Sequence, residues 1–176
     1  PRPARRLTAN TNVRAFQPSW PQTSIILHIK GTNSTLTRER GITILGAHQD
    51  SVNFLPVFAA PGADDDGSGT VTLLEILRAL GKAGWAPESD VEFHWYSAEE
   101  GGLLGSQAVT DVYIRQGVRV NAVLQMDMTA FVKEGTRERI GLAADFVSPS
   151  LTSCVARVAS PYLHIPVAST LREYQA

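Results

Sequence analysis

Residues 41–80 read GITILGAHQDSVNFLPVFAAPGADDDGSGTVTLLEILRAL. The opening run, Gly41 to Ala47, is apolar and β-branched and predicts a strand buried on at least one face. Gln49 to Asp66 carries Pro56 and Pro61 and predicts a loop. From Ser68 onward Val71, Leu74, Leu77 and Leu80 recur at three-residue steps, which predicts a helix. Asp66 or Ser68 would cap it, and Gly81 or Gly84 would stop it. Strand, loop and helix in that order are the start of an alternating α/β chain.

The pattern extends in both directions. Upstream, Ser24 to Lys30 is a β-branched strand bounded by Gly31, and polar Thr32 to Arg40 reads as an exposed hairpin-type connection. Residues 1–22, rich in Pro, Arg and Asn, lack a period and read as irregular, with short ordered pieces at most. Downstream, strands are expected at Val91–Ser97, Val120–Met128 and Arg139–Ala144. Helices are expected at Leu103–Gln116 and from Pro149 to about Ala159. The fold expected is α/β, a three-layer sandwich with a mostly parallel central sheet, over residues 23–176.

Composition sets the outer bounds. With 176 residues, 43% of them hydrophobic, the chain is long enough for one domain with a core. A net charge of -1 gives no reason to expect nucleic acid or an acidic membrane as partner. The longest apolar runs are of strand length, so none is expected to span a bilayer. Cys154 is the single cysteine, so no disulfide forms within the chain, and Leu151, Val155 and Val158 around it predict a buried thiol on a helix face. Asn33-Ser34-Thr35 is a glycosylation sequon, a weak pointer to secretion; no signal peptide begins the chain, and Pro1 reads as a processed or truncated end.

The acidic residues concentrate just past the strand ends. His48-Gln49-Asp50 follows one strand, Asp64-Asp65-Asp66 precedes the first long helix, Glu99-Glu100 follows another strand, and Asp127 lies near the end of a fourth. In open α/β sheets, ligands bind in the crevice beyond the carboxyl ends of the strands. Taken singly, each motif has an ordinary reading as a capped turn, an acidic turn or a hydrogen-bonded histidine. Asp127 in an apolar run is the exception, since buried aspartates need partners. Four such groups at one sheet edge, with no Lys or Arg within the motifs, point to a metal cation. One imidazole among carboxylates suits Zn²⁺, with Mn²⁺ or Co²⁺ chemically possible, and a bridging carboxylate would hold two ions close enough for two-metal hydrolysis.

The ordered motifs resemble those of the bacterial and fungal secreted leucine-type aminopeptidases of the co-catalytic di-zinc class. The matching segments are Gly46–Ser51, Ala60–Gly69, Ala98–Ser106 and Gln125–Thr129, within a likeness running from the Ser24 strand to about Pro166. The resemblance implies a zinc-exopeptidase-like fold that binds peptide substrates with a free N-terminus outside the cell. It implies that His48 and Asp127 bind one zinc, that Asp65 bridges both ions, and that Glu100 binds the second. Glu99 would be the general base, and Asp50 would fix the His48 ring through its other nitrogen. Asp66 would follow Asp65 through a cis bond, a strained feature held by a functional site.

The sequence departs from that family at both ends. The family's helices ahead of the Ser24 strand have no counterpart, nor does its fifth ligand, a histidine in a loop downstream of Asp127; His164 reads as structural or exposed instead. The expectation is therefore an incomplete domain in which the first zinc keeps His48, Asp65 and Asp127. The second would keep only Asp65 and Glu100, and aminopeptidase activity would be impaired. The alternatives are a non-catalytic derivative that binds one metal or a partner, and a single-zinc cyclotransferase of the same architecture. Side-chain preference and oligomeric state are not legible.

Overall fold

Short β-branched and aromatic runs bounded by glycine, proline or aspartate make the strands. The computed structural model describes residues 10–16, 20–55 and 57–170. Its first five strands are β1 (Thr11–Phe16), β2 (Ser24–Ile29), β3 (Ile42–His48), β4 (Val91–Tyr96) and β5 (Val120–Gln125). Between and beyond them lie α1 (Ser34–Arg40), α2 (Gly67–Ala83), α3 (Leu104–Gln116), β6 (Ile140–Ala143), α4 (Pro149–Ala159) and β7 (Val167–Thr170). The described residues up to Ala130 form one compact unit and those from Phe131 onward another.

In the first unit the strand order is β1-β2-β4-β3-β5. The expected mostly parallel sheet is instead mixed: β3 pairs in parallel with β4 and β5, whereas β2 pairs antiparallel with β1 and β4. The reason lies in the connections. Parallel neighbours need a long crossover, which α2 supplies between β3 and β4. The connection between β1 and β2 is short enough for an antiparallel turn only. The expected irregular stretch 1–22 lies partly outside the described residues, and its described part contains β1.

Side chains alternate across the strands, so each helix finds an apolar face of its own. On one face Leu73 of α2 is buried with Ile29, Ala47, Phe93 and Trp95, and Ile76, Leu77 and Leu80 pack against them. On the other, Val109 and Tyr113 of α3 are buried with Ile26, Ile42 and Ile44. Helices on both faces of one sheet make the three layers. The stripe on α2 corrects the expected one: Val71 and Leu74 are 62% and 50% exposed. A strict three-residue repeat drifts around a helix of 3.6 residues per turn, whereas 73/76/77/80 stays on one side.

Two further expectations change. Thr32–Arg40, read as a hairpin-type connection, holds α1, because Asn33 Oδ1 accepts from the Leu36 amide and caps a helix start. The sequon asparagine is thus an exposed N-cap. Cys154, expected inside, is exposed. In the second unit α4 packs on the two-stranded β6–β7 sheet, and its half-buried stripe is Leu151, Thr152, Val155, Ala156 and Ala159. His164 is exposed, as read.

A buried polar network ties β1, β2, β4 and α3 together. Glu92, 2% exposed, accepts from Tyr113 Oη at 2.5 Å and His94 Nε2 at 2.9 Å, pairs with His28 Nδ1 at 3.1 Å, and also receives Arg14. Burial opposes its charge, but the hydrogen bonds from His28, His94 and Tyr113 outweigh burial and hold its carboxyl well below the usual range. The hydrogen bond to Glu92 raises the pKa of His28 against its burial, and Asp90, 2.8 Å from Nε2, adds to the rise. His28 therefore holds its proton more tightly in the folded state than in the unfolded chain. Its contribution is complete below the unfolded pKa of about 6.5 and fades as pH climbs through the raised folded value. We expect His28→Gln to cost about 1 kcal/mol more at about pH 5.5 than at about pH 9, read from urea unfolding at both. Equal losses would show that His28 carries no charge in the fold.

Candidate metal centre

The sheet delivers the acidic motifs to one edge because β3, β4 and β5 run parallel and end together. His48 closes β3 and is 1% exposed. Its Nδ1 lies 3.0 Å from the Asp50 carbonyl oxygen, which can only accept, so Nδ1 carries a hydrogen and Nε2 is the nitrogen that offers a lone pair when the ring is neutral. Nε2 faces Asp65 Oδ1 at 3.0 Å and Asp127 Oδ1 at 4.0 Å.

Asp50 meets the other nitrogen of the His48 ring. Its backbone carbonyl, not its carboxylate, is the nearer partner of His48, since Oδ1 stands 3.6 Å from Nδ1. The carboxylate instead accepts the amides of Glu99 and Glu100 at 3.0 and 3.1 Å. Those glutamates follow Ala98, just past the end of β4, whose φ is 52°, so the backbone has left extended geometry before both side chains emerge. One loop after β3 therefore holds both glutamates.

The three aspartates have three environments. Asp66, 1% exposed, caps α2 through Gly69 N at 3.0 Å and accepts the His48 amide at 3.0 Å and the Met128 amide at 3.3 Å. Asp65 joins it through a cis bond and leaves its side chain 46% exposed. Asp64 accepts Ser68 Oγ and the Ala130 amide, each at 2.9 Å. Sequence reading named Asp64 only as part of the acidic motif and Ser68 only as a possible cap, and it passed over Thr70, whose hydroxyl donates to the His48 carbonyl at 2.8 Å. The spacing of Asp64 and Ser68, four residues apart at a helix start, was their only signal.

Electrostatics follow from that crowding. Burial pushes up the pKa values of Asp66, Glu99 and Glu100, and neighbouring carboxylates push further: Asp127 on Asp66, Asp127 and Glu100 on Glu99, Asp65 on Glu100. Burial would lower the pKa of His48, but Asp66, Glu99, Asp127 and Asp50 outweigh it. These groups repel one another unless a cation is shared among them. His48, Asp65 and Asp127 offer one ligand atom each within 4.8 Å of one another. An imidazole lone pair facing carboxylate oxygens is a donor set a metal ion fits. Glu100 stands outside that trio, and Asp65 is the carboxylate that most opposes its charge.

Residues 24–170 match Peptidase family M28, a family of metal-dependent peptidases. The chain is 50% identical over 169 residues to leucine aminopeptidase 1 of Phaeosphaeria nodorum, covering 89% of this chain and 41% of that protein. It superposes on the LapA aminopeptidase of Legionella pneumophila with a TM-score of 0.80 at 28% identity, covering 94% of this chain and 42% of that one. A glutaminyl cyclase from an Acidobacteriales bacterium gives 0.69 at 18% identity over 94% of this chain and 59% of that one, a likeness of fold alone.

Proposed function

From a chain that belongs to Peptidase family M28, we propose the zinc-binding core of an aminopeptidase that hydrolyses the first peptide bond of extracellular peptides. His48, Asp65 and Asp127 would hold one ion, and Asp65 with Glu100 would face a second. The observation that supports this is the convergence of His48, Asp65 and Asp127 at the ends of parallel strands, beside two glutamates whose amides share Asp50. The single-zinc cyclotransferase alternative rests on likeness of fold only.

A divalent ion held there supplies Lewis acidity toward water and the scissile carbonyl. The chain's own groups do the rest. Glu99, outside the trio, takes a proton from the attacking water and returns it to the leaving amine. Burial and the neighbouring carboxylates raise its pKa in the ion-free site. Asp50 orients the His48 ring through its carbonyl and both glutamates through its carboxylate. The surplus of carboxylates attracts the substrate's ammonium end. Among the described residues no helix is long and apolar enough to cross a membrane. The sequon asparagine is exposed, which fits a secreted glycoprotein.

Zinc content measured by elemental analysis, alongside hydrolysis of a leucine chromogenic amide, tests the reading. Bound zinc that falls to background in His48→Ala, together with turnover in the unmodified chain, supports it. One ion per chain without turnover would favour a non-catalytic metal-binding derivative. Metal binding unaltered by His48→Ala would sink the site assignment.

A further inference from the structure

Asp127 is the one member of the trio that follows a strand end and precedes no helix. Something must hold its backbone. On one side the Met126 amide donates to the Gly46 carbonyl of β3 at 2.8 Å. On the other, three successive amides are caught by the first turn of α2 and the residues before it: Met128 by Asp66 at 3.3 Å, Thr129 by Ser68 Oγ at 2.8 Å, and Ala130 by Asp64 at 2.9 Å. Met128 has a φ of 48°, a left-handed conformation that costs a non-glycine residue about 1 kcal/mol or more and persists only where its surroundings enforce it. The three amide bonds are that enforcement.

Asp64 and Ser68 form the outer half of this clamp. The Ser68 hydroxyl lies 2.8 Å from the Asp64 carbonyl and 2.9 Å from its carboxylate, so its hydrogen points to Asp64 while its lone pair receives Thr129. Asp64 Oδ2 is buried and meets no hydrogen-bond partner among the described residues, so all of the carboxylate's hydrogen bonding runs through Oδ1. The two residues flanking Asp65 in sequence therefore both reach across to the segment that carries Asp127.

We infer that Asp64, through Ser68 and the Ala130 amide, is a positioning residue that sets Asp127 against His48 and Asp65. It acts as a hydrogen-bond acceptor and not as a further negative charge on the ion. The inference rests on the reading of His48, Asp65 and Asp127 as metal ligands.

Zinc affinity in the full chain, measured by competition with a chromophoric chelator, tests it. Asp64→Ala is expected to weaken binding about 10- to 100-fold, the loss usual for groups that orient metal ligands, and Ser68→Ala about 10-fold. Asp64→Asn keeps an acceptor oxygen and should return affinity to within about threefold of the unmodified chain. In an Asp127→Ala background, Asp64→Ala should change affinity less than about twofold, because the group it positions is gone. Circular dichroism in excess chelator checks that each variant folds, and Ser68→Ala carries the test where Asp64→Ala does not. Unchanged affinity in Asp64→Ala, or in Ser68→Ala where that variant carries the test, overturns the inference. So does an Asp64→Asn as weak as Asp64→Ala, or an equal loss in the Asp127→Ala background. An unmodified chain that binds no zinc overturns the ligand reading along with it.

Discussion

Glu99→Gln is expected to lower kcat for a leucine amide by about two to four orders of magnitude while leaving bound zinc unchanged. The amide side chain matches the carboxylate in size, so the Glu99 backbone amide can keep its bond to Asp50 at 3.0 Å. What disappears is the capacity to take a proton. The substitution also removes a carboxylate whose charge is opposed by burial and by Asp127, Glu100 and Asp50, so folding has no reason to suffer. Steady-state kinetics with zinc analysis on the same sample separates the two effects. A kcat within about threefold of the unmodified chain would assign the base elsewhere; lost zinc with lost activity would make Glu99 a ligand.

Asp66→Ala should show the largest loss of stability, about 3–5 kcal/mol by urea unfolding in the presence of chelator. Asp66 is 1% exposed and accepts three amides, those of His48, Gly69 and Met128. Each buried amide left without an acceptor costs about 1–3 kcal/mol, and the lost helix cap at Gly69 is worth about 1 kcal/mol of that. Burial of the charge works in the opposite direction, as its raised pKa records, so removing it relieves some desolvation. Three stranded donors outweigh one relieved charge. Asp66→Asn keeps one acceptor oxygen and should lose roughly half as much. A loss below about 1 kcal/mol for the alanine variant would mean that water replaces the carboxylate at all three amides.

Much of the architecture was legible because burial leaves a period in the residues. The strands at Ser24, Gly41 and Val91 are apolar and β-branched, and helices α2, α3 and α4 lie where glycine, proline and capping residues bound an apolar pattern. The errors share a cause. Sheet direction depends on which strands become neighbours, and β2 lies beside β4, not beside β3, which follows it in sequence. The α1 helix depends on a cap at Asn33 and on amides at 32 and 33 that donate to the carbonyls of Pro87 and Glu88, contacts with residues far along the chain. Cys154 faces outward because α4 packs only part of its circumference on a two-stranded sheet.

The site divides in the same way. Residue type and position past strand ends were enough to mark the motifs His48–Asp50, Asp64–Asp66, Glu99–Glu100 and Asp127, because carboxylates cluster near an imidazole only where chemistry or capping requires them. The choice of Asp65 among the three aspartates and the separate roles of Asp50, Asp66, Glu99 and Glu100 came with the family resemblance. Which acceptor each donor finds was not in the one-dimensional pattern. Asp50 turns its carbonyl to His48 and its carboxylate to Glu99 and Glu100, and Asp64 and Ser68 hold the backbone beyond Asp127. Local sequence determines what a segment can form, since propensity and burial act within a few residues. Only the tertiary structure decides which segments share hydrogen bonds, since those bonds join residues 49 to 66 positions apart and depend on how the whole sheet is ordered.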